Sequence, residues 1–194
     1  MKKVHVVVVA TAVIILSLVF CFGSFTLASS KTHTSIQRAV AKSADAAFNE
    51  GFCVYPNSPL GKMVAEELRA RGHRVLTLSS PIECDGQFLA VSIEWVNISY
   101  FPLTAKGHIR AITIYSSAGD PTHYLQYRDA KEKEKALKSF ERTQRPQLQA
   151  YLLVDVFDES KGLICLRGYQ DHLIRETAKA IAGAVERLSK EDIQ

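Results

Sequence analysis

An uncharged apolar segment at the N-terminus limits how much of this chain can fold as a globular domain. A basic tip ending at Lys3 precedes a run that contains VVVVATAVIILSLVF, and no Lys, Arg, Asp or Glu occurs between Lys3 and Lys31. The stretch from Val4 to Phe25 has the length of a bilayer-spanning helix, which needs about 20 apolar residues. We therefore predict a membrane anchor or signal segment over residues 1–30 and one extracytoplasmic α/β domain over residues 31–194.

The sequence leaves three fates open for this segment. An uncleaved single-pass anchor is favoured, because a secretory signal has a shorter apolar core and Thr26-Leu27-Ala28 is a poor cleavage site. Cleavage and secretion remain an alternative. Lipid anchoring is a third, because Cys21 follows an apolar run, although Phe20 is large where lipidation signals have a small residue. For the favoured anchor we expect a cell-envelope location, with the domain on the extracytoplasmic side, in the periplasm.

The orientation and the charge balance add weaker constraints. Short basic N-terminal tails usually stay in the cytoplasm, which favours export of the domain, although Lys31, Arg38 and Lys42 on the other side reduce the charge bias. The chain has 24 basic and 20 acidic residues, a formal net charge of +4. No basic stripe stands out, so nucleic acid is not an expected partner. The expected partners are the membrane and an envelope protein.

Three of the four cysteines lie outside the targeting segment, and an odd number does not make a disulfide framework. Cys53 and Cys165 lie in the apolar stretches FCVY and LICL, which is typical of buried free thiols. Cys84 lies in a polar loop. One bridge between two of these three stays open in an oxidising compartment, and zinc spacing is absent from the sequence.

The first part of the domain reads as a helix followed by a strand–helix–strand unit. Apolar residues at helical spacing predict a helix over residues 34–48. Gly51–Tyr55 is a short apolar strand, and Asn57-Ser58-Pro59 then begins a helix that ends at Gly72. Arg74–Ser79 is a second strand, so the unit predicts a parallel pair.

An antiparallel meander is predicted next. Phe88–Phe101 is a long strand in which the apolar alternation shifts by one residue after Trp95, which predicts a β-bulge. Ile109–Tyr115 and Thr122–Tyr127 follow as strands, between turns at residues 102–107 and 118–121.

The C-terminal part is predicted as helix, hairpin and helix. The first helix covers Asp129–Arg142, and Pro146 closes it. Leu148–Phe157 is an apolar central strand, Asp158–Gly162 a hairpin turn and Leu163–Arg167 the returning strand. The last helix runs from about Asp171 to Leu188. Together these elements predict one α+β domain with a mixed sheet.

The sequence contains no motif that declares a reaction. It lacks GxSxG, HExxH, GxxxxGK[ST] and GxGxxG, and its six histidines are scattered. We therefore predict no catalytic residue, no metal ligand and no cofactor, and the binding residues are left unassigned. Asp155, Asp158 and Glu159 have the chemistry of a cation site, but acids are routine in a hairpin turn.

Two further groups have a functional and a structural interpretation. Trp95, Tyr100 and Phe101 have the chemistry of a binding patch, but aromatic residues in so apolar a strand usually pack in a sheet. Ser58 with Lys62 can hold an anion at a helix N-terminus, but a plain helix cap explains them without a glycine-rich loop. Asn97-Ile98-Ser99 matches a glycosylation sequon in an unfavourable strand context.

The stretch NSPLGKMVAEELRARGHRV resembles the opening strand–helix–strand unit of the flagellar outer-membrane assembly lipoproteins of the FlgO type and related small bacterial envelope lipoproteins. The segment Tyr151–Gly168 is similar to a later hairpin of that family. The meander between them does not match. The resemblance implies a non-catalytic envelope factor and no active-site residue.

Two hypotheses follow from the sequence. The first is a membrane-tethered, non-catalytic binding or assembly module of the bacterial envelope, and it is favoured because no nucleophile or acid–base pair is declared. The second is an envelope enzyme that uses His123 or His172 with nearby acids. A concave pocket in which a histidine and a carboxylate converge would support the enzyme.

Overall fold

One mixed sheet of six strands organises the domain, which is α+β as predicted. The computed structural model describes residues 7–14, 26–131 and 146–190. The strand order is β1-β6-β5-β4-β2-β3. The strands are β1 Thr26–Lys42, β2 Phe52–Tyr55, β3 Val75–Thr77, β4 Gln87–Phe101, β5 Thr104–Ser116 and β6 Leu148–Ile164. The helices packed on the sheet are α1 Pro59–Ala70, α2 Thr122–Asp129 and α3 Leu166–Lys190.

Of the segment predicted over residues 1–30, the structure describes residues 7–14, which are helical, and residues 26–30, which are extended. Among the described residues, no helix combines the length and the hydropathy that a membrane crossing requires. β1 begins at Thr26, inside the N-terminal segment predicted from the sequence.

The strand–helix–strand unit is confirmed. β2 pairs in parallel with both β3 and β4. The side chain of Ser58 accepts a hydrogen bond from the backbone N–H of Gly61 at 3.2 Å, with Pro59 in the first turn of α1. Gly72 adopts a φ of 89° after the helix, a left-handed conformation that glycine reaches without strain.

The predicted bulge in β4 is also confirmed. The pairing of β4 with β5 shifts register between Ile93 and Trp95. Before the shift, Leu89 and Val91 face the main core; after it, Ile98 takes over that face. The extra residue therefore reverses the alternation at the point where the apolar pattern changes phase.

The predicted helix over residues 34–48 is wrong, because residues up to Lys42 belong to β1. β1 pairs antiparallel with β6 along its whole length without a register shift. Ile36 and Val40 are four residues apart, and this spacing places two side chains on one face of a strand as well as of a helix. The Ser- and Thr-rich start of the segment and the pairing with β6 decide for the strand.

The predicted strand over Thr122–Tyr127 is wrong, because these residues form α2. Asp120 accepts a hydrogen bond from the backbone N–H of Thr122 at 2.9 Å, which satisfies a donor at the helix start. Tyr124 and Tyr127 then bury together at helical spacing. The predicted helix over Asp129–Arg142 lies largely outside the described residues, and within them the chain is extended at Ala130.

The hairpin turn predicted over Asp158–Gly162 is wrong, because β6 continues to Ile164. Both neighbours, β1 and β5, stay paired with β6 through this stretch, so its backbone groups are satisfied in the sheet. The predicted returning strand over Leu163–Arg167 is wrong for the same reason. α3 begins at Leu166, five residues before the predicted start at Asp171.

α1 and α3 cover one face of the sheet, which we call the helix face. Ile181 and Val185 of α3 are buried in one cluster with Leu152 and Val154 of β6, as the sequence predicted. A smaller cluster on the second face packs the tyrosines of α2 on Phe88, Ile112 and neighbouring side chains.

Candidate functional site

Beyond the bulge, the second face carries rings and charges in place of apolar side chains. The register aligns them in rows that cross β4, β5, β6 and β1. We call this region the open face. Its rows are Trp95–Arg110–Asp155–Ser35, Asn97–His108–Phe157–His33 and Ser99–Lys106–Glu159–Lys31.

Three rings form a continuous platform on the open face. The ring centroids of Trp95 and His108 are 4.2 Å apart at an interplanar angle of 70°. Those of His108 and Phe157 are 3.7 Å apart at 31°. We call these three side chains, which come from three neighbouring strands, the ring platform.

Asp155 fixes the ring platform from below. Its Oδ1 lies 2.6 Å from Nε2 of His108 and accepts a hydrogen bond from Nε of Arg110 at 2.9 Å. The guanidinium of Arg110 lies 5.6 Å from the centroid of the Trp95 ring, within the range of a cation–π contact. One buried carboxylate therefore holds both side chains that contact Trp95, the His108 ring and the Arg110 guanidinium.

The protonation of Asp155 follows from these bonds. Burial alone would raise the pKa of the carboxyl, but the bonds with Arg110 and His108 outweigh it and hold the pKa below its usual value. The bond to Asp155 raises the pKa of Arg110. The pair is charged at neutral pH, so the platform is set before any ligand arrives.

A cleft of about 430 Å³ lies beside the platform. Phe157 and His108 line it together with polar and charged groups. Glu159 Oε1 lies 3.6 Å from Nζ of Lys106 and 3.6 Å from Nζ of Lys161. The other lining residues are Lys31, His33, Asn97, Ser99, Gly107 and Asp158. An aromatic floor whose rim carries both lysines and acids, Lys31 and Lys106 with Asp158 and Glu159, suits an amphipathic ligand with charged groups.

On the helix face, the buried carboxylate of Asp158 is hydrogen-bonded by three hydroxyl groups. Its carboxylate accepts hydrogen bonds from Ser30, from Thr32 at 2.7 Å and from Ser160 at 2.8 Å. His172 Nε2 lies 3.2 Å from the same Oδ1. Burial alone would raise the pKa of Asp158, but these four bonds together lower it.

The enzyme hypothesis requires a histidine and a carboxylate beside a pocket, and this cluster provides them. It does not provide the geometry of a catalytic relay. A cavity of about 560 Å³ adjoins Ser30 and His172. However, Nε2 of His172 lies 3.0 Å from Ser30 and also contacts Asp158, and Ser30 itself donates to Asp158. A serine–histidine–carboxylate relay bonds its serine and its acid to different ring nitrogens. The arrangement here satisfies a buried carboxylate.

The sheet separates most of the groups that the sequence placed together. Asp155 and Glu159 are on the open face and Asp158 on the helix face, and no cluster of metal-binding side chains occurs in the described part of the chain. Tyr100 points to the helix face, where its hydroxyl donates to the carbonyl of Ile164 at 2.7 Å. Trp95 stays on the open face. The predicted aromatic patch is therefore divided.

The remaining candidates are not members of the ring platform. Ser58 caps α1, as the structural interpretation predicted. His123 lies on α2, and burial lowers its pKa. Cys53 is bonded to Cys84 with a Cα–Cα distance of 6.6 Å, which corrects its prediction as a free thiol, while Cys165 is a buried free thiol.

Sequence reasoning did not bring together His108, Arg110, Asp155 and Phe157. The alternation KGHIRAI in β5 places polar side chains on one face and small or apolar ones on the other. That pattern predicts that one face of β5 is exposed. It does not predict which residues lie beside His108 and Arg110, because these neighbours depend on the strand register.

Comparison with protein-family models identifies no family that matches the chain. Comparison with curated proteins finds no significant match either. The resemblance to the FlgO-type lipoproteins therefore stays a prediction.

Proposed function

We propose that this chain is a membrane-tethered envelope protein and that its domain is a non-catalytic binding or assembly module. The observation that carries the proposal is the ring platform held by Asp155 beside a cleft with a charged rim. A rigid aromatic surface with a charged rim is the composition that binding sites use for affinity and orientation. The open face is the proposed binding surface.

The Cys53–Cys84 bond supports an extracytoplasmic domain. Disulfides form and persist in oxidising compartments such as the periplasm. The apolar segment supports a tether, because β1 follows it directly. At about 3.3 Å per residue, His33 lies roughly 23 Å along β1 from Thr26, so a partner on the open face would be close to the membrane.

The location is tested by fractionation. We expect the full chain to pellet with membranes and to resist carbonate extraction, and protease added outside the inner membrane should digest the domain. A domain that is protected until the inner membrane is broken would refute the orientation. A shortened, soluble product would show cleavage of the segment.

The binding surface is tested by site-specific photo-cross-linking in the native host. A photoreactive residue in place of Phe157 should give protein adducts, whereas the same residue in place of Glu66, exposed on α1, should give none. Asp155→Asn should reduce the Phe157 adducts, because it loosens the platform without touching the cleft rim. Adducts from Glu66 alone would exclude the open face.

The alternative is an envelope enzyme that uses His172 with Asp158. Its supporting observation is the contact between His172 and Asp158 beside a cavity that His172 lines. His172→Gln with unchanged function in the host would refute this alternative. Loss of function with normal folding and unchanged Phe157 adducts would favour it over the binding module.

A further inference from the structure

The free edge of β1 is the widest unpaired backbone surface in the described part of the domain. β1 stands at the end of the strand order and pairs only with β6 among the described residues. It is 17 residues long, contains no proline and shows no register shift against β6. In an antiparallel pair, every second residue directs its N–H and C=O away from the neighbouring strand. Such an edge is a template for a further strand.

The side chains of β1 do not cover this edge. Nearly all of them from Ala28 to Lys42 are exposed; Ile36 and Ala41 are the intermediate cases. Natural proteins block such edges with short strands, bulges or proline, and β1 has none of these. Its charges are the one protective device present.

The charges of β1 are all positive, which favours an acidic strand as the occupant of the edge. β1 contains Lys31, Arg38 and Lys42 and no acidic residue. A second copy of β1 would bring two basic strands together, which is unfavourable. A strand with acidic side chains would meet complementary charge.

Lys31 is the group that is best placed for this contact. It lies opposite Glu159 in the sheet, but Glu159 already pairs with Lys106 and Lys161. Lys31 itself has no ion-pair partner among the residues that the structure describes. It also lines the cleft, and a strand added to β1 would lie about 4.8 Å beyond it. The edge and the open face are thus one continuous surface.

We propose that the free edge of β1 accepts an extended, acidic segment of a partner protein as a seventh strand. Main-chain hydrogen bonds to β1 supply affinity, and carboxylates on the open-face side pair with Lys31. This inference rests on the proposed function, because it names the kind of partner that the open face receives.

Photo-cross-linking along β1 of the full chain in the native host tests strand addition. Photoreactive residues are placed singly at His33, Ser35 and Gln37, whose side chains share the open-face side. Mass spectrometry should map the adducts to one partner segment, at positions that step by two residues in a constant direction and are flanked by Asp or Glu. Adducts on separate segments, or no adducts, would overturn the proposal.

The same data separate the other occupants. Adducts between β1 residues of two copies would show a dimer edge and overturn the acidic partner. Phe157 adducts without β1 adducts would leave the open face as the binding surface and refute strand addition alone.

A synthetic peptide of the mapped segment then tests the charge. It should bind the full chain in detergent, and Lys31→Glu should weaken binding about tenfold. Lys62→Glu makes the same charge change at an exposed position of α1 and should have no effect. Equal effects of the two variants would overturn the role of Lys31, and a poly-lysine peptide that binds as well would overturn the acidic specificity.

Discussion

The two faces of the sheet use the same pair of residue types for different purposes. On the helix face, Asp158 contacts His172 and is surrounded by hydroxyl groups that complete its hydrogen bonds. On the open face, Asp155 contacts His108 and Arg110, which in turn contact Trp95. A buried aspartate beside a histidine is therefore no sign of function by itself; what the histidine touches next decides its role.

The difference comes from the alternation of β6. Residues 154, 156 and 158 point towards α3, and residues 155, 157 and 159 point to the open face. One strand thus supplies both the core and the platform. The helix face buries apolar area, which stabilises the fold, whereas the open face holds half-buried rings at Trp95 and His108 and an exposed ring at Phe157.

The largest expected effect tests the helix face directly. Ile181 is fully buried between α3 and the sheet, so Ile181→Ala should lower the free energy of unfolding by about 2–5 kcal/mol. Phe157→Ala should cost about 1 kcal/mol or less, because Phe157 is 43% exposed and loses mainly its ring contact with His108. Urea unfolding of the full chain in detergent measures both. Equal losses would mean that the two faces do not differ in the way described.

The next largest effect concerns the disulfide. It lies on the face opposite α1 and α3, at the end where α2 packs. Cys53 is buried there, and its bond to Cys84 closes a loop with a sequence separation of 31. Replacing both cysteines by alanine should cost about 2–4 kcal/mol. Reductant should destabilise the wild type by a similar amount and leave the double variant unchanged. A reductant effect on the double variant, in which Cys165 is the remaining domain thiol, would contradict this assignment.

The elements that sequence patterns predicted correctly have their signals close together in the chain. Ser58, Pro59 and Gly72 mark both ends of α1, and the apolar alternation shift marks the bulge after Ile93. The long apolar run of β6 and the stripe of α3 also locate strand and helix, although not their ends. These signals are local, so they can be recognised in the sequence without knowing which strands pair.

Apart from α2, the elements that were predicted wrongly depend on pairing with distant segments. Residues 26–42 become a strand because β6 offers a partner along their whole length. Asp158 and Gly162 carry turn chemistry, yet both neighbouring strands keep this stretch extended. The ring platform is assembled from three strands, so neither its members nor the split of Trp95 from Tyr100 can be read from spacing alone.

A third prediction compares the two aspartates. The pKa of each carboxyl is lowered in the folded state. The ionised carboxylate therefore stabilises the fold above the unfolded pKa of about 4. This stabilisation is lost as the pH falls through the pKa of the folded state. Asp158→Asn should cost about 1–3 kcal/mol at pH 7 and should flatten the loss of stability between pH 5 and pH 2.

The single tryptophan separates the faces in the same experiment. Trp95 belongs to the ring platform, so Asp155→Asn should change its fluorescence at pH 7, and Asp158→Asn should not. Matching spectral changes in both variants would show that the two carboxylates act on one coupled network.

The smallest effect tests whether the helix face also binds a ligand. Ser58 accepts a bond from Gly61 N–H, so Ser58→Ala should cost about 0.5–2 kcal/mol, and Ser58→Asp should restore most of it because the helix dipole favours a negative charge there. An anion site would respond oppositely, since Asp would repel the ligand and Lys62→Ala would weaken binding. We expect Ser58→Asp to fold and to keep the Phe157 cross-links. A folded Ser58→Asp chain that loses them would place a ligand site at the start of α1 and remove the functional distinction between the faces.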